Sequence, residues 1–435
     1  MSTFPDISDK FNWRNLTPEH GHYTFGYYDR YALTSDNSLH LGLRIPQQER
    51  LPLAGEPAAI GFIDMAEGQF HQVGETHAWC HQQGAMTLWL KHRPRTFIYN
   101  DFVRDGMRWL PVARIYSLDE GGVGQYQVPI YAISKDGRWG VTLNFNRIPR
   151  RGYSYALAEL PLNQPEPDLD GDGLSLVNML TGKVVLIATY RQLIEQHPFA
   201  YDLENVYMWL NHAIFNCDAS RVMVLFRTCQ SIMQCHPWRT YMYTMRLDGS
   251  DLRCSLSDIY WRNGAISHQI WGRTPEEILV DADWGGHNFG HEYIVFDETQ
   301  YPIQAHRISK GMGPAGHLNF SPDGKWLVAD TYPDKQGIQR LALVRPATGD
   351  MVELGRFIHM TPGVAGDMRC DLHPRWSEDG TLLTVDTIHQ GPRKIYCLDL
   401  GPYFQNQTPF YTPENGTISL PESPGLGFAL DVSKI

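Results

Sequence analysis

HLNFSPDGKWLVADTYPD (317–334) and HPRWSEDGTLLTVDTIH (373–389) are two copies of one pattern. Each runs His, two residues, an aromatic, a polar-Asp-Gly turn, an apolar run, then Asp-Thr. The turn residues supply a tight bend, and the apolar run reads as a half-buried strand. With that template in hand, weaker copies emerge: IYAISKDGRWGVTLNF (130–145), HAIFNCDASRVMVLFR (212–227), HQIWGRTPEEILVDAD (268–283), YALTSDNSLHLGLR (31–44) and, faintest, LWLKHRPRTFIYND (88–101). Aligned on the turn, the markers are Asp36, His92, Asp136, Asp218, Thr274, Asp323 and Asp379, spaced 56, 44, 82, 56, 49 and 56 residues apart. Seven units of this length predict a seven-bladed β-propeller of four-stranded antiparallel blades, one domain over 1–435. A pair of β-sandwiches is the alternative, but sandwiches need no sevenfold period. The blades fall roughly within 20–400. The one wide gap holds RRGYSYALAELPLNQPEPDLDGDG (150–173) and a short helical stretch, TYRQLIEQH (189–197), so 147–200 reads as an insertion between blades three and four. Residues 401–435 read as a C-terminal tail that covers the surface or helps close the ring.

Composition narrows the function. The 435-residue chain carries 37 Lys and Arg against 48 Asp and Glu, a formal charge of −11. That balance argues against a nucleic-acid partner, because phosphate contacts need a basic footprint. An anionic substrate in a locally positive cleft remains compatible. The N-terminus MSTFPDISDKFNW has neither a basic nor an apolar stretch of signal-peptide type, and no run of 18 apolar residues is present. Seven irregularly spaced cysteines (Cys80, Cys217, Cys229, Cys235, Cys254, Cys370 and Cys397) form no CxxC pair. A reducing cytoplasm, without a membrane partner, is the expectation. Oligomeric state leaves no mark in the sequence.

In a propeller, a residue just ahead of an inner strand can point toward the central channel. His212, His268, His317 and His373 all hold that register. Three are followed thirteen residues on by Asp281, Asp330 and Asp386, while blade four has Arg227 two residues beyond the same register. A repeated His-Asp pair is often a buried device that ties neighbouring strands, and the Asp of an SPDG turn normally caps its own turn. Four imidazoles from adjacent blades in one register nevertheless point to convergence at the channel mouth, where imidazole and carboxylate suit Mn²⁺ or Zn²⁺. His287 and His291 in GGHNFGHEY, the Cys235-His236 pair, and His77 and His81 in HAWCHQQG are weaker candidates, since each also fits an ordinary loop. No GxSxG elbow, P-loop or dinucleotide fingerprint is present.

FGYYDR (25–30), HQQGAMTLWL (81–90), PIYAISKDGRWGVTLNF (129–145), GHLNFSPDGKWLVADTYPD (316–334) and CDLHPRWSEDG (370–380) resemble the seven-bladed propeller polysaccharide lyases, the group of oligogalacturonate lyase and the propeller ulvan lyases. The likeness covers most of residues 20–400. It implies β-elimination on a uronate oligosaccharide. The C5 proton lies beside a carboxylate, so a cation or Arg must first neutralise that group. A His or Tyr then takes the proton, and an acid protonates the departing glycosidic oxygen. Carried over to this chain, the resemblance implies a divalent metal, Mn or Zn, at His268, His317 and His373. It implies His212 and Arg227 as base and neutraliser, and Tyr153 and Tyr155 as further acid or base. Arg150, Arg151, His81 and His287 are implied to hold the anionic sugar. GVGQYQVPIY (122–131) departs from the ulvan lyases, having Gln125 and Gln127 but no histidine. A cytoplasmic enzyme taking short oligosaccharides fits the oligogalacturonate type better. A non-catalytic binding propeller and a propeller glycoside hydrolase with paired carboxylates are the competing readings.

Overall fold

A computed structural model describes residues 11–405 apart from 54, 150–165, 200–202, 233–234, 236–237, 257–264, 284–290, 301–302, 314, 360 and 362. It contains seven antiparallel four-stranded sheets, the blades of an all-β propeller. Their strands fall within 22–76, 88–126, 132–189, 207–256, 265–310 and 318–358, with blade seven built from 375–399 and the N-terminal strand Trp13–Asn15. That strand pairs with Tyr396–Leu398. The ring is thus closed by the N-terminus. The chain divides into residues 1–399, which hold every blade, and 400–435, of which the helix Gly401–Gln405 is the described element. Among the described residues, no helix is long and apolar enough to cross a membrane.

All seven turn markers lie between the first and second strands of a blade. In blade six, Ser321 Oγ donates to Asp323 Oδ1 at 2.7 Å and accepts from the Trp326 amide at 3.0 Å. The same small ring recurs at Ser134/Asp136 and Ser377/Asp379. The residue after the Asp takes φ near +70° in Gly137, Gly324 and Gly380, which is why glycine recurs there.

The aromatic of the template ties blades together. The indoles of Trp89, Trp271 and Trp376 donate to the carbonyls of Ala32, Ile214 and Asn319 in the preceding blade, the last two on its inner strand. Second strands such as Arg221–Cys229 are buried at nearly every position, because blades pack on both faces of them. Outer strands such as Gln69–Thr76 are largely exposed or half-buried.

The region 147–200 differs from the sequence expectation. Gly173–Asn178 and Val184–Thr189 are the third and fourth strands of blade three. The long segment therefore begins inside that blade, between its second and third strands. The helix Tyr190–Glu195 follows the outer strand, opened by a Thr189–Gln192 capping box.

Candidate active site and metal centre

Each of the four histidines stands four residues before the first residue of its blade's turn: Asn216, Gly272, Ser321 and Ser377. This common register brings the imidazoles together. The His268 and His317 rings lie 4.0 Å apart between centroids, and those of His317 and His373 4.3 Å. Tyr27 and Tyr28 of the FGYYD stretch fill the space between them: Tyr27 lies 5.0 Å from His212 and 4.9 Å from His373, and Tyr28 4.8 Å from His317. The backbone is bent to achieve this. His212, His268 and His373 have φ of 51°, 51° and 44°, in the left-handed region that side chains rarely adopt. The pairing register shifts at Asn211/Ile214 and Ser267/Ile270, so bulges re-aim two of the imidazoles.

All four histidines are buried. Burial, reinforced by neighbouring cationic and imidazole groups, holds His212, His268 and His373 well below the ordinary imidazole range. Neutral imidazoles are the form that accepts protons and binds metals. Arg227 adds to the effect on His212, and its guanidinium lies 4.9 Å from the Trp238 ring centre.

The ligand-capable atoms of His317, Asp371 and His373 lie within 4.8 Å of one another, the one such group found among the described residues. His373 Nε2 is buried without a hydrogen-bond partner among the described residues. His317 Nδ1 faces Asp330 at 3.1 Å, which leaves Nε2 as its free lone pair. Two imidazoles and a carboxylate, with one ring oriented by a second carboxylate, fit Mn²⁺ or Zn²⁺. Asp371 is also held by Arg369 through both oxygens, at 2.5 and 2.7 Å. His268 lies outside that triad. Its Nε2 is 2.9 Å from the Tyr332 hydroxyl, and the Arg369 guanidinium sits 3.8 Å over the Tyr332 ring.

The three aspartates of the repeat act mainly between blades. Asp281 accepts from the Gly316 amide at 2.7 Å and pairs with His291. Asp330 accepts from the His373 amide at 3.1 Å, and Asp386 from Thr24 Oγ1 at 2.6 Å and the Phe25 amide at 3.1 Å. Each reaches the start of the next blade, and Asp330 also meets its own histidine, His317.

The structure thus gathers His212, His268, His317 and His373, with Arg227 beside them. His81 is placed elsewhere. It is buried against Trp79, with Nε2 3.4 Å from the Gln47 carbonyl, so it does not line the cluster. Arg150, Arg151, Tyr153, Tyr155 and His287 lie outside the described residues. Asp371, Tyr332 and the Tyr27–Tyr28 pair were not singled out as site residues from sequence. Asp371 had a signal: it stands two residues before His373, and in extended chain residues i and i+2 share a side. Tyr332 had none.

Among solved structures, an oligogalacturonate lyase from Vibrio parahaemolyticus superposes with a TM-score of 0.61 at 15% identity, over 92% of this chain and 96% of that one. An oligogalacturonate lyase in complex with manganese gives 0.59 at 16% identity, over 92% and 97%. At this identity the likeness establishes the shared seven-bladed fold. No family model and no curated sequence matches the chain.

Proposed function

We propose that this propeller is a lyase that cleaves uronate-containing oligosaccharides by β-elimination, with a divalent cation, Mn²⁺ or Zn²⁺, held by His317, Asp371 and His373. The observation that carries the reading is the convergence of two imidazoles and a carboxylate beside further neutral imidazoles in the channel. The manganese complex of the oligogalacturonate lyase with the same fold supports it. The cation, when bound, supplies charge that neutralises the sugar carboxylate and acidifies the neighbouring C5–H.

The chain's own residues supply the rest. Arg369 and Arg227 add positive charge around the imidazoles and attract the anionic sugar. His268 and Tyr332, already hydrogen-bonded, form a proton-transfer pair: one takes the C5 proton while the C4–O bond breaks, and the departing oxygen receives a proton from an acid. His268, a metal candidate from sequence, thereby passes to proton transfer. His212 lies across the cluster, its Nε2 3.4 Å from the Tyr27 hydroxyl, as a second base close to Arg227. The setting we propose is the reducing cytoplasm, on the irregular cysteine spacing of the sequence.

The glycoside-hydrolase reading finds little support. Asp281, Asp330, Asp371 and Asp386 are each engaged by amide, imidazole or guanidinium donors. A glycosidase needs one carboxyl free as acid and another as nucleophile or base.

The test is a panel of uronate oligosaccharides incubated with Mn²⁺- or Zn²⁺-loaded protein. An unsaturated uronate product raises ultraviolet absorbance; a flat trace on every member of the panel removes the lyase assignment.

A further inference from the structure

Asp371 belongs to the metal triad, yet both of its oxygens already accept from one guanidinium. Arg369 Nε donates to Oδ1 at 2.5 Å and Nη2 to Oδ2 at 2.7 Å. This is the two-pronged pairing for which the planar fork of arginine is shaped. The Asp371 side chain is 1% exposed and that of Arg369 22%. A carboxylate so deeply buried needs a counter-charge, and Arg369 supplies it. The arginine is the more exposed partner, so the pair opens from the Arg369 side.

A divalent cation on His317, Asp371 and His373 needs an oxygen of the same carboxylate. The fork does not exhaust the lone pairs of that group, so the conflict is one of charge. Cation and guanidinium would flank a single buried negative group, where little water screens their repulsion. The guanidinium has a second support. It lies 3.8 Å over the Tyr332 ring, whose hydroxyl is 2.9 Å from His268 Nε2. That contact does not involve Asp371, so it holds the charge in place when the fork leaves the carboxylate. The Arg369 backbone is anchored as well: its amide donates to the Gly366 carbonyl at 3.2 Å, and its carbonyl accepts from Gln82 at 2.7 Å. Movement is therefore confined to the side chain, and the released fork stays beside Tyr332 and His268. In a uronate the carboxylate is attached to C5, the carbon that loses its proton. Whatever binds that carboxylate has to lie next to the proton-transfer pair, as Arg369 does.

We propose that Arg369 is a latch on the metal centre: a divalent cation and the guanidinium compete for Asp371, and the displaced guanidinium takes the carboxylate of a uronate. The competition rests on the metal assignment alone, and the carboxylate step on the lyase reading as well. The experiment measures Mn²⁺ affinity of the full-length protein by chelator competition at fixed pH. Arg369→Gln tightens Mn²⁺ binding at least tenfold. A guanidinium that only orients Asp371 gives the opposite result, a loss of about 10–100-fold. Such a loss, or an unchanged affinity, overturns the latch, as does a lack of Mn²⁺ binding by both proteins. Calorimetry with D-galacturonate, which has the carboxylate but no glycosidic bond at C4, tests the second step. Mn²⁺-loaded Arg369→Gln binds it at least tenfold more weakly than the loaded wild type, and equal affinity overturns the carboxylate role. Neither readout requires turnover. A flat absorbance trace on the uronate panel, with the expected Mn²⁺ affinities, removes the lyase reading and leaves the competition standing. Should Arg369→Gln fail to fold, a crystal structure of the Mn²⁺-loaded wild type decides the matter. An Asp371 oxygen on the metal and released from Arg369 supports the latch; both guanidinium bonds retained beside the metal overturn it.

Discussion

Asp330→Asn separates a metal centre from a merely packed histidine cluster. The Asp330 carboxylate faces His317 Nδ1 at 3.1 and 3.2 Å and accepts from the His373 amide at 3.1 Å. It therefore orients two residues of the triad without belonging to it. Burial raises the Asp330 carboxyl above its ordinary range, and the His317 imidazole opposes that rise. Asn keeps the shape and one acceptor oxygen but removes the charge that orients the His317 ring through Nδ1. Losing such an outer partner typically weakens metal binding about 10–100-fold, or about 1.4–2.7 kcal/mol. Loss of a charged hydrogen bond costs about 1.5–3 kcal/mol of stability in addition, so the variant melts several degrees lower but remains folded. Mn²⁺ and Zn²⁺ affinities are measured by chelator competition at fixed pH, with thermal melts of the metal-free proteins as the control for folding. A folded Asp330→Asn protein with wild-type affinity refutes the placing of the cation on His317 and His373.

Tyr332→Phe removes the hydroxyl from His268 Nε2 and leaves the ring under Arg369. The expected result is a loss of about 10²-fold or more in kcat with KM little changed, read by steady-state absorbance kinetics; an unchanged kcat takes Tyr332 out of proton transfer. Stability also depends on pH through His40 and His81, both held down to about 3, chiefly by burial and secondarily by Arg375 and Arg393 respectively. The unfolded chain binds these protons below about 6.5 and the folded chain does not, so stability is whole above that value. It falls by up to about 1.4 kcal/mol per pH unit per imidazole as pH drops toward 3. Urea titrations at pH 7 and pH 5 measure it, and equal midpoints would contradict the assignment of two buried neutral rings.

The blade count was legible because the evidence for it is local and repeated. A turn such as Ser321–Gly324 closes on its own side chains, so it leaves the same mark wherever it occurs. The histidine register was legible for the same reason, since a fixed distance from that turn sets where a side chain meets the channel. Blade three was harder to read, because the long segment between its second and third strands separates Gly173–Asn178 from the turn that identifies the blade. Ring closure had no local sign: Trp13–Asn15 is three residues long, and its partners lie some 380 residues away in sequence.

Sequence alone was enough for the sevenfold architecture and for the four imidazoles in step, because both follow from spacing within one blade. Roles required the assembled ring. Asp281, Asp330 and Asp386 look alike along the chain, yet each acts on the neighbouring blade, and Asp330 also meets its own histidine. Asp371 and Tyr332 became site residues through proximity between segments remote in sequence. A side chain's chemistry depends on what it faces across the channel, and that is set when the last blade joins the first.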